Sequence, residues 1–340
     1  MHGQTIAPFT IVYETFGELN ADRSNAILVC HALSASAHVA GTYSDSEDER
    51  PGWWDGLVGY GKAIDLSRFF VVCVNLPGSP YGTTAPRSID PKSGRPYGSR
   101  YPWPTIEDMV ESQRLVLQHL GISRLHSIAG GSLGGMQVLM WCAMYPEIAG
   151  SVIAMATGGA VPVQGIAWHI IGRKMIEADP RFHSGDYYDH APESLRGLQI
   201  ARMVGHMTYL SVESLQRKFG RRRRGGTRQF EIDSYFEYQG KKFAGQYDAN
   251  SYIRVQAAMD EMDLAEQYGS LQEAFARWRG RTLIVSCDTD WLFPPGEADA
   301  VVAAMRTDVH HERVSSPNGH DTFLIDYDLI SEPVRRFLSA

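Results

Sequence analysis

A doubly wound α/β fold, with a mostly parallel sheet and an inserted helical segment, is the class this 340-residue sequence predicts. Three observations point there. In the first half of the chain, short apolar runs bounded by polar or turn residues alternate with stretches of helical spacing. From about residue 159 to residue 278 the apolar runs cease, and the spacing is helical and rich in Tyr, Met and charge. After that the alternation resumes. A chain of this length accommodates one large domain carrying an insertion, so the expected organisation is a core of 1–158 with 279–340 and a mainly helical lid of 159–278.

The elements follow in order. "NAILVCHAL" (25–33) and "RFFVVCVNLPG" (68–78) read as strands buried on both faces of a parallel sheet. "TIEDMVESQRLVLQHLGI" (105–122) reads as a helix: Thr105 and Asp108 form a capping-box pattern, Met109, Val110, Leu115, Val116, Leu117 and Leu120 cluster at helical spacing, and Gly121 stops it. Next come a strand, "LHSIAG" (125–130), a helix ending at Pro146, and a strand, "GSVIAMAT" (150–157). Beyond the insertion lie a strand through "RTLIVSCDTDWLFPP" (281–295), the helix "GEADAVVAAMR" (296–306), a short strand "HHERVSS" (310–316), the turn "PNGHD" (317–321) and a last helix. No internal repeat or low-complexity tract is present.

Composition removes several classes of function. The net charge is -7, which argues against a nucleic-acid surface and shows no membrane bias. No stretch approaches the roughly 18–20 apolar residues of a membrane span. The N-terminus shows no basic start followed by an apolar run, so no secretory signal is expected. The four cysteines, Cys30, Cys73, Cys142 and Cys287, are scattered without a CxxC pair. They read as buried thiols of a reducing, cytoplasmic compartment, not as a disulfide frame, and no metal site is expected.

Gly130-Gly131-Ser132-Leu133-Gly134 matches G-x-S-x-G, with a strand before it and a helix after it. This is the pattern of a nucleophile elbow, a turn so sharp that side chains two positions either side of the serine would collide. The helix that follows aims its N-terminus at the reacting centre, where negative charge develops. Such a serine needs a base and an orienting acid, supplied along the chain in the order Ser, acid, His. The acid is expected after the strand that follows the insertion, at Asp288 or Asp290. The base is expected near the C-terminus at His320, since His310 and His311 fall in a strand beside charged residues. Two backbone donors would hold the oxyanion, the Leu133 amide and the Leu33 amide in "VCHALSASAH". His31 in that stretch either faces a ligand or braces the loop.

Ten stretches in order, among them "YETFGELN", "HALSASAHVAG", "FFVVCVNLPGSPYGTT", "GGSLGGMQ", "QIARMVGHMTYLS", "DWLFPP" and "GHDTFL", make the chain similar to the homoserine O-acetyltransferases of the α/β-hydrolase superfamily over nearly its whole length. The resemblance implies an α/β-hydrolase fold and a ping-pong reaction. Ser132 would take an acetyl group from the co-substrate acetyl-CoA, with His320 as base and Asp290, the acid of the "DWLFP" stretch, as orienter. No permanently bound cofactor is implied. The acceptor would be the side-chain hydroxyl of L-homoserine, with Arg202 on its carboxylate and Asp321 on its ammonium group. That assignment suits a zwitterion, which needs a fork-shaped cation and an anion; a lid salt bridge for Arg202 and a loop cap for Asp321 are the alternatives. Tyr209 is a further pocket residue on this reading, and a homodimer through lid helices is implied.

The chain departs from the family pattern at Ser79 and Pro80, at Leu133 and in "HALSAS". These loops border the pocket, so donor or acceptor choice is more exposed to the changes than the chemistry is. "TIEDMV" and "YGTT" resemble the acetyl users more than the succinyl users. Alternatives within the family are a succinyl-CoA donor or serine or another alcohol as acceptor. Outside it, the alternatives are a serine esterase or a binding protein that retains the fold. The basic run Arg221–Arg224 reads as a solvated loop, with phosphate binding as the competing possibility.

Overall fold

The computed structural model describes residues 3–43, 50–190 and 194–340. Its centre is a seven-stranded sheet of β1 (Tyr13–Phe16), β2 (Ala26–Cys30), β3 (Phe70–Val74), β4 (Leu125–Gly131), β5 (Ala149–Met155), β6 (Arg281–Cys287) and β7 (Val309–Val314). The strands lie in the order β1-β3-β2-β4-β5-β6-β7, all parallel except β1, which pairs antiparallel with β3. β1 has no counterpart in the expected elements. Its pattern is half-exposed and only four residues long, too short for a periodicity signal.

The inner strands are apolar on both faces because both faces are covered. Leu28, Val72, Ile128, Val152 and Ile284 pack on one side, with the helices α1 (Ile106–His119) and α2 (Leu133–Met144). Ile27, Val71, Ala129, Ile153 and Leu283 pack on the other, with Trp54 and the C-terminal helix. Helix α1 carries the expected capping box, the Thr105 hydroxyl and the Asp108 carboxylate each accepting the other residue's backbone N–H. Of its expected core residues, Leu115 is exposed instead; the stripe that meets the sheet is Met109, Val110, Val116 and Leu117.

Between β5 and β6 the chain is helical: α3 (Val163–Glu177), α4 (Arg196–Tyr209), α5 (Val212–Lys218), α6 (Glu231–Ala244), α7 (Ala249–Glu261), α8 (Leu264–Tyr268) and α9 (Leu271–Ala274). After β6 follow α10 (Pro295–Ala304), β7, α11 (Thr322–Ile325) and α12 (Tyr327–Ser339). β6 stops at Cys287, earlier than the sequence pattern suggests, so Asp288 and Asp290 belong to a loop and not to a strand face. Among the described residues no helix is long and apolar enough to cross a membrane.

Candidate active site

Four loops that leave the carboxyl ends of β2, β4, β6 and β7 meet above the sheet, the place where open α/β sheets bind ligands. The β4 loop is the elbow. Ser132 has φ 58° and ψ -125°, a conformation that a non-glycine residue adopts only when its surroundings impose it. They do so here through the backbone. The Ser132 N–H donates to Met155 O at 2.9 Å, and its carbonyl accepts the Thr157 hydroxyl at 3.1 Å. A Cβ on Gly134 would stand 2.1 Å from Cys30 O, and one on Gly130 would stand 2.5 Å from the Gly134 backbone. The glycines on either side are therefore required by contact of main chain with main chain.

Ser132 Oγ lies 2.8 Å from His320 Nε2, and His320 Nδ1 lies 2.8 Å from Asp290 Oδ2. The other Asp290 oxygen accepts the Leu292 and Phe293 amides at 2.9 and 3.0 Å. Asp288 is turned elsewhere, accepting the Ser315 hydroxyl and the Ser316 amide. Of the two aspartates the loop thus brings Asp290 to the imidazole. His320 is fully enclosed, with Tyr209, Phe293 and Phe323 around its ring. Burial alone would lower its pKa, but the charge and hydrogen bond of Asp290, with Asp321 adding, raise it above the ordinary histidine value. His310 and His311 sit on the edge strand β7, where His311 Nε2 meets the Ser286 hydroxyl.

The β2 loop carries His31 and Leu33. His31 is buried; burial, opposed by its bond to the Ala32 carbonyl, lowers its pKa to about 4. Its Nε2 accepts the Leu76 amide at 3.3 Å, so it braces the loop. Gln137 ties this loop to the elbow, its amide donating to His31 O and Leu133 O at 3.2 and 3.1 Å. Gln113 donates to Gln137 and accepts the Trp141 indole N–H, completing a buried network. From the helical segment, the Tyr247 hydroxyl donates to Leu33 O at 2.8 Å. Among the described residues, neither the Leu33 nor the Leu133 N–H donates a hydrogen bond. Sequence reading missed this bracing: Gln137 stands in the quoted "GGSLGGMQ", but nothing local marks it as a bridge.

A cavity of about 60 Å³ is lined by Leu33, Ser34, Ser132, Arg202, Tyr209, Leu292, His320 and Asp321, with His169 and Met259 from α3 and α7. A larger one, about 370 Å³, also borders Ser34 and extends past His38, Trp53 and Tyr81. Arg202 makes no salt bridge to a described residue. Its guanidinium lies over the Tyr209 and Phe243 rings, and its Nη1 is 3.5 Å from the Ser34 hydroxyl. Asp321 caps no helix end with its side chain. Burial raises its pKa to about 6, against the opposing pull of His320, Arg202 and Lys218. Among the described residues neither the lid salt bridge nor the loop cap is made, and a cation and an anion face one cavity. The Arg221–Arg224 run stays at the surface, with Arg222 paired to Glu231 and Arg223 over Phe230; none of it lines this cavity. Among the described residues no group of three His, Cys, Asp or Glu side chains is placed to hold a metal ion.

Residues 25–327 match the family model described as the alpha/beta hydrolase fold. A homoserine O-succinyltransferase of Leptothrix cholodnii is 47% identical over 335 residues, covering 95% of this chain and 89% of that protein. A homoserine O-acetyltransferase of Deferribacter desulfuricans is 44% identical over 347 residues, covering 99% and 91%. The crystal structure of homoserine O-acetyltransferase from Bacillus anthracis superposes with a TM-score of 0.89 at 30% identity, covering 97% of this chain and 92% of that one.

Proposed function

From the premise that the chain belongs to the homoserine O-acyltransferase family of the α/β-hydrolase fold, we propose that it moves a short acyl group from acyl-CoA to the side-chain hydroxyl of L-homoserine through an acyl-serine intermediate. The observation that carries the acceptor is the presence of both Arg202 and Asp321 on the wall of the cavity that holds Ser132. An esterase has no need of a half-buried cation and a half-buried anion beside its nucleophile; a zwitterionic amino acid uses both.

The steps follow from the geometry. His320, its Nδ1–H held by Asp290, takes the Ser132 proton at Nε2 as Oγ attacks the thioester carbonyl. The Leu33 and Leu133 amides receive the oxyanion, and α2 adds its positive end. Coenzyme A leaves as the thiol, taking the proton from His320. Homoserine then binds between Arg202 and Asp321, with Tyr209 beside it, and gives its hydroxyl proton to His320 as its oxygen attacks the acyl-serine; the bond from the acyl carbon to Ser132 Oγ breaks, Oγ takes the proton back from His320, and O-acylhomoserine leaves. The helical segment 159–278 acts as the lid, supplying Arg202 and Tyr209, and the core of 1–158 with 279–340 supplies the nucleophile, base and acid. The larger cavity beyond Ser34 offers room for the rest of the donor. Exposed Ile170, Ile171 and Met175 on α3 form the face on which we place a homodimer contact.

The sequence motifs and the solved structure from Bacillus anthracis support acetyl-CoA as donor; the 47% identical succinyltransferase supports succinyl-CoA as a second reading. Thiol release from each donor, with L-homoserine, L-serine or no acceptor, tests the proposal in wild type and Ser132→Ala. Release that needs homoserine and Ser132 is the expected result. Equal release without an acceptor would make water the acceptor and the protein an esterase.

A further inference from the structure

One polar group on the cavity wall has no part in the reaction just described. His169, on α3, lines the cavity that holds Ser132, although a lone histidine in a helix carries no signal of its own. Its Nδ1 lies 2.5 Å from Asp260 Oδ1 on α7. Arg173, one helical turn further along α3, places Nη1 2.6 Å from Asp260 Oδ2. Both members of the histidine–aspartate pair are largely buried, their side chains 8% and 11% exposed. Among the described residues nothing bonds His169 Nε2, so this edge of the ring is the one left for a ligand.

The chemistry of that edge selects a class of ligand. With Asp260 accepting from Nδ1, Nε2 is the position at which an arriving carboxyl group can share a proton with the ring, and Arg173 keeps the surroundings of the pair from being net negative. An arriving carboxylate would complete the arrangement with a charge-assisted hydrogen bond. The cavity's other cation, Arg202, is engaged by the acceptor's carboxylate when both substrates' groups are present. Met259 and Leu292 supply apolar wall for methylene groups. We propose that His169, held by Asp260 and Arg173, binds the terminal carboxylate of a short dicarboxylic acyl group, so that the preferred donor is a succinyl-type thioester. This rests on the acyl-serine reading above and names the donor class for the same site.

The test compares three probes at saturating L-homoserine: succinyl-CoA, butyryl-CoA, which has the same number of acyl carbons without the carboxylate, and acetyl-CoA. Wild type is expected to favour succinyl-CoA over butyryl-CoA in kcat/KM. His169→Leu should lower that ratio about ten- to a hundredfold, the usual worth of a hydrogen bond to a charged group. His169→Gln, which keeps a donor near the Nε2 position, should restore part of it, and Asp260→Asn should fall between. A purely structural staple would reduce all three donors together and leave the ratio unmoved. Ratios within about twofold of wild type in His169→Leu and Asp260→Asn would therefore overturn the proposal. Should His169→Leu fail to fold, wild type alone decides: equal use of butyryl-CoA and succinyl-CoA overturns it. Homoserine-dependent release that ignores the carboxylate defeats only this inference, whereas no homoserine-dependent release from any donor defeats the acyltransferase reading with it.

Discussion

Replacing Asp290 by asparagine changes one atom and should reverse the polarity of the whole relay. The Leu292 and Phe293 N–H groups are fixed donors aimed at one carboxylate oxygen. An asparagine must keep its oxygen there, because turning its NH2 toward two buried donors would leave them unpaired at about 1–3 kcal/mol each. Its NH2 then faces His320 Nδ1, which has to become an acceptor. The ring proton moves to Nε2, 2.8 Å from Ser132 Oγ, and the serine loses its base. The same tautomer reversal in serine hydrolases costs about 10⁴ in kcat, equivalent to about 5.5 kcal/mol of barrier. Folding should change little, since the two backbone bonds survive. The assay is homoserine-dependent thiol release at saturating substrates, with thermal unfolding measured in parallel. Asp288→Asn is the control: it loosens bonds to Ser315 and Ser316 and none to the imidazole, so kcat should stay within about threefold. A folded Asp290→Asn that retains more than a tenth of wild-type kcat would refute the reasoning, as would a large loss in Asp288→Asn alone.

Four further outcomes follow from the same structure. Arg202→Ala should raise KM for L-homoserine about ten- to a hundredfold, while the first thiol burst without acceptor, seen in stopped flow, is nearly unchanged. The acid limb of kcat/KM should report two groups: His320 must be neutral to act, with a pKa raised above the histidine norm, and Asp321, pushed up to about 6, must be ionised to hold the ammonium group. A pH profile whose acid limb lies wholly below pH 5 would contradict both. Asp321 has its folded pKa raised, so its ionisation opposes folding, from nothing near pH 4 to the full amount above about pH 6; Asp321→Asn should therefore be more stable than wild type at pH 8, by about 2 kcal/mol after allowance for partial exposure, and equal to it near pH 4, as denaturant titrations at the two pH values would show. Gly134→Ala should lose about 3 kcal/mol or more, because its Cβ would meet the Cys30 carbonyl, which the sheet holds in place.

What was legible in the sequence was what short-range pattern encodes. The strands β2 to β6 announce themselves because both faces are buried, and the elbow because main-chain contact at Gly130 and Gly134 admits no side chain. The order of acid and base along the chain narrowed the site to a few residues, but choosing Asp290 over Asp288 needed the resemblance: the strand ends at Cys287, and only the loop's path decides which carboxylate turns inward. Leu115 misled because a helical stripe on paper is wider than the strip that meets the sheet. The Gln113–Gln137 bridge, the Tyr247 hydroxyl on Leu33 and the His169–Asp260 pair join residues 24, 214 and 91 positions apart. Contacts across such separations exist only once helices pack, and no local signal marks their members.

The central claim, that Ser132 carries an acyl group from coenzyme A to an amino-acid hydroxyl, is most directly tested by mass spectrometry of the Ser132 peptide. The protein is mixed with acyl-CoA in the absence of acceptor, quenched, and compared with a sample chased with L-homoserine. The account predicts an acyl adduct on Ser132 that disappears on the chase as O-acylhomoserine forms, and no adduct in Ser132→Ala. An adduct lost to water at the same rate with and without homoserine, or product formed with Ser132 never modified, would contradict it.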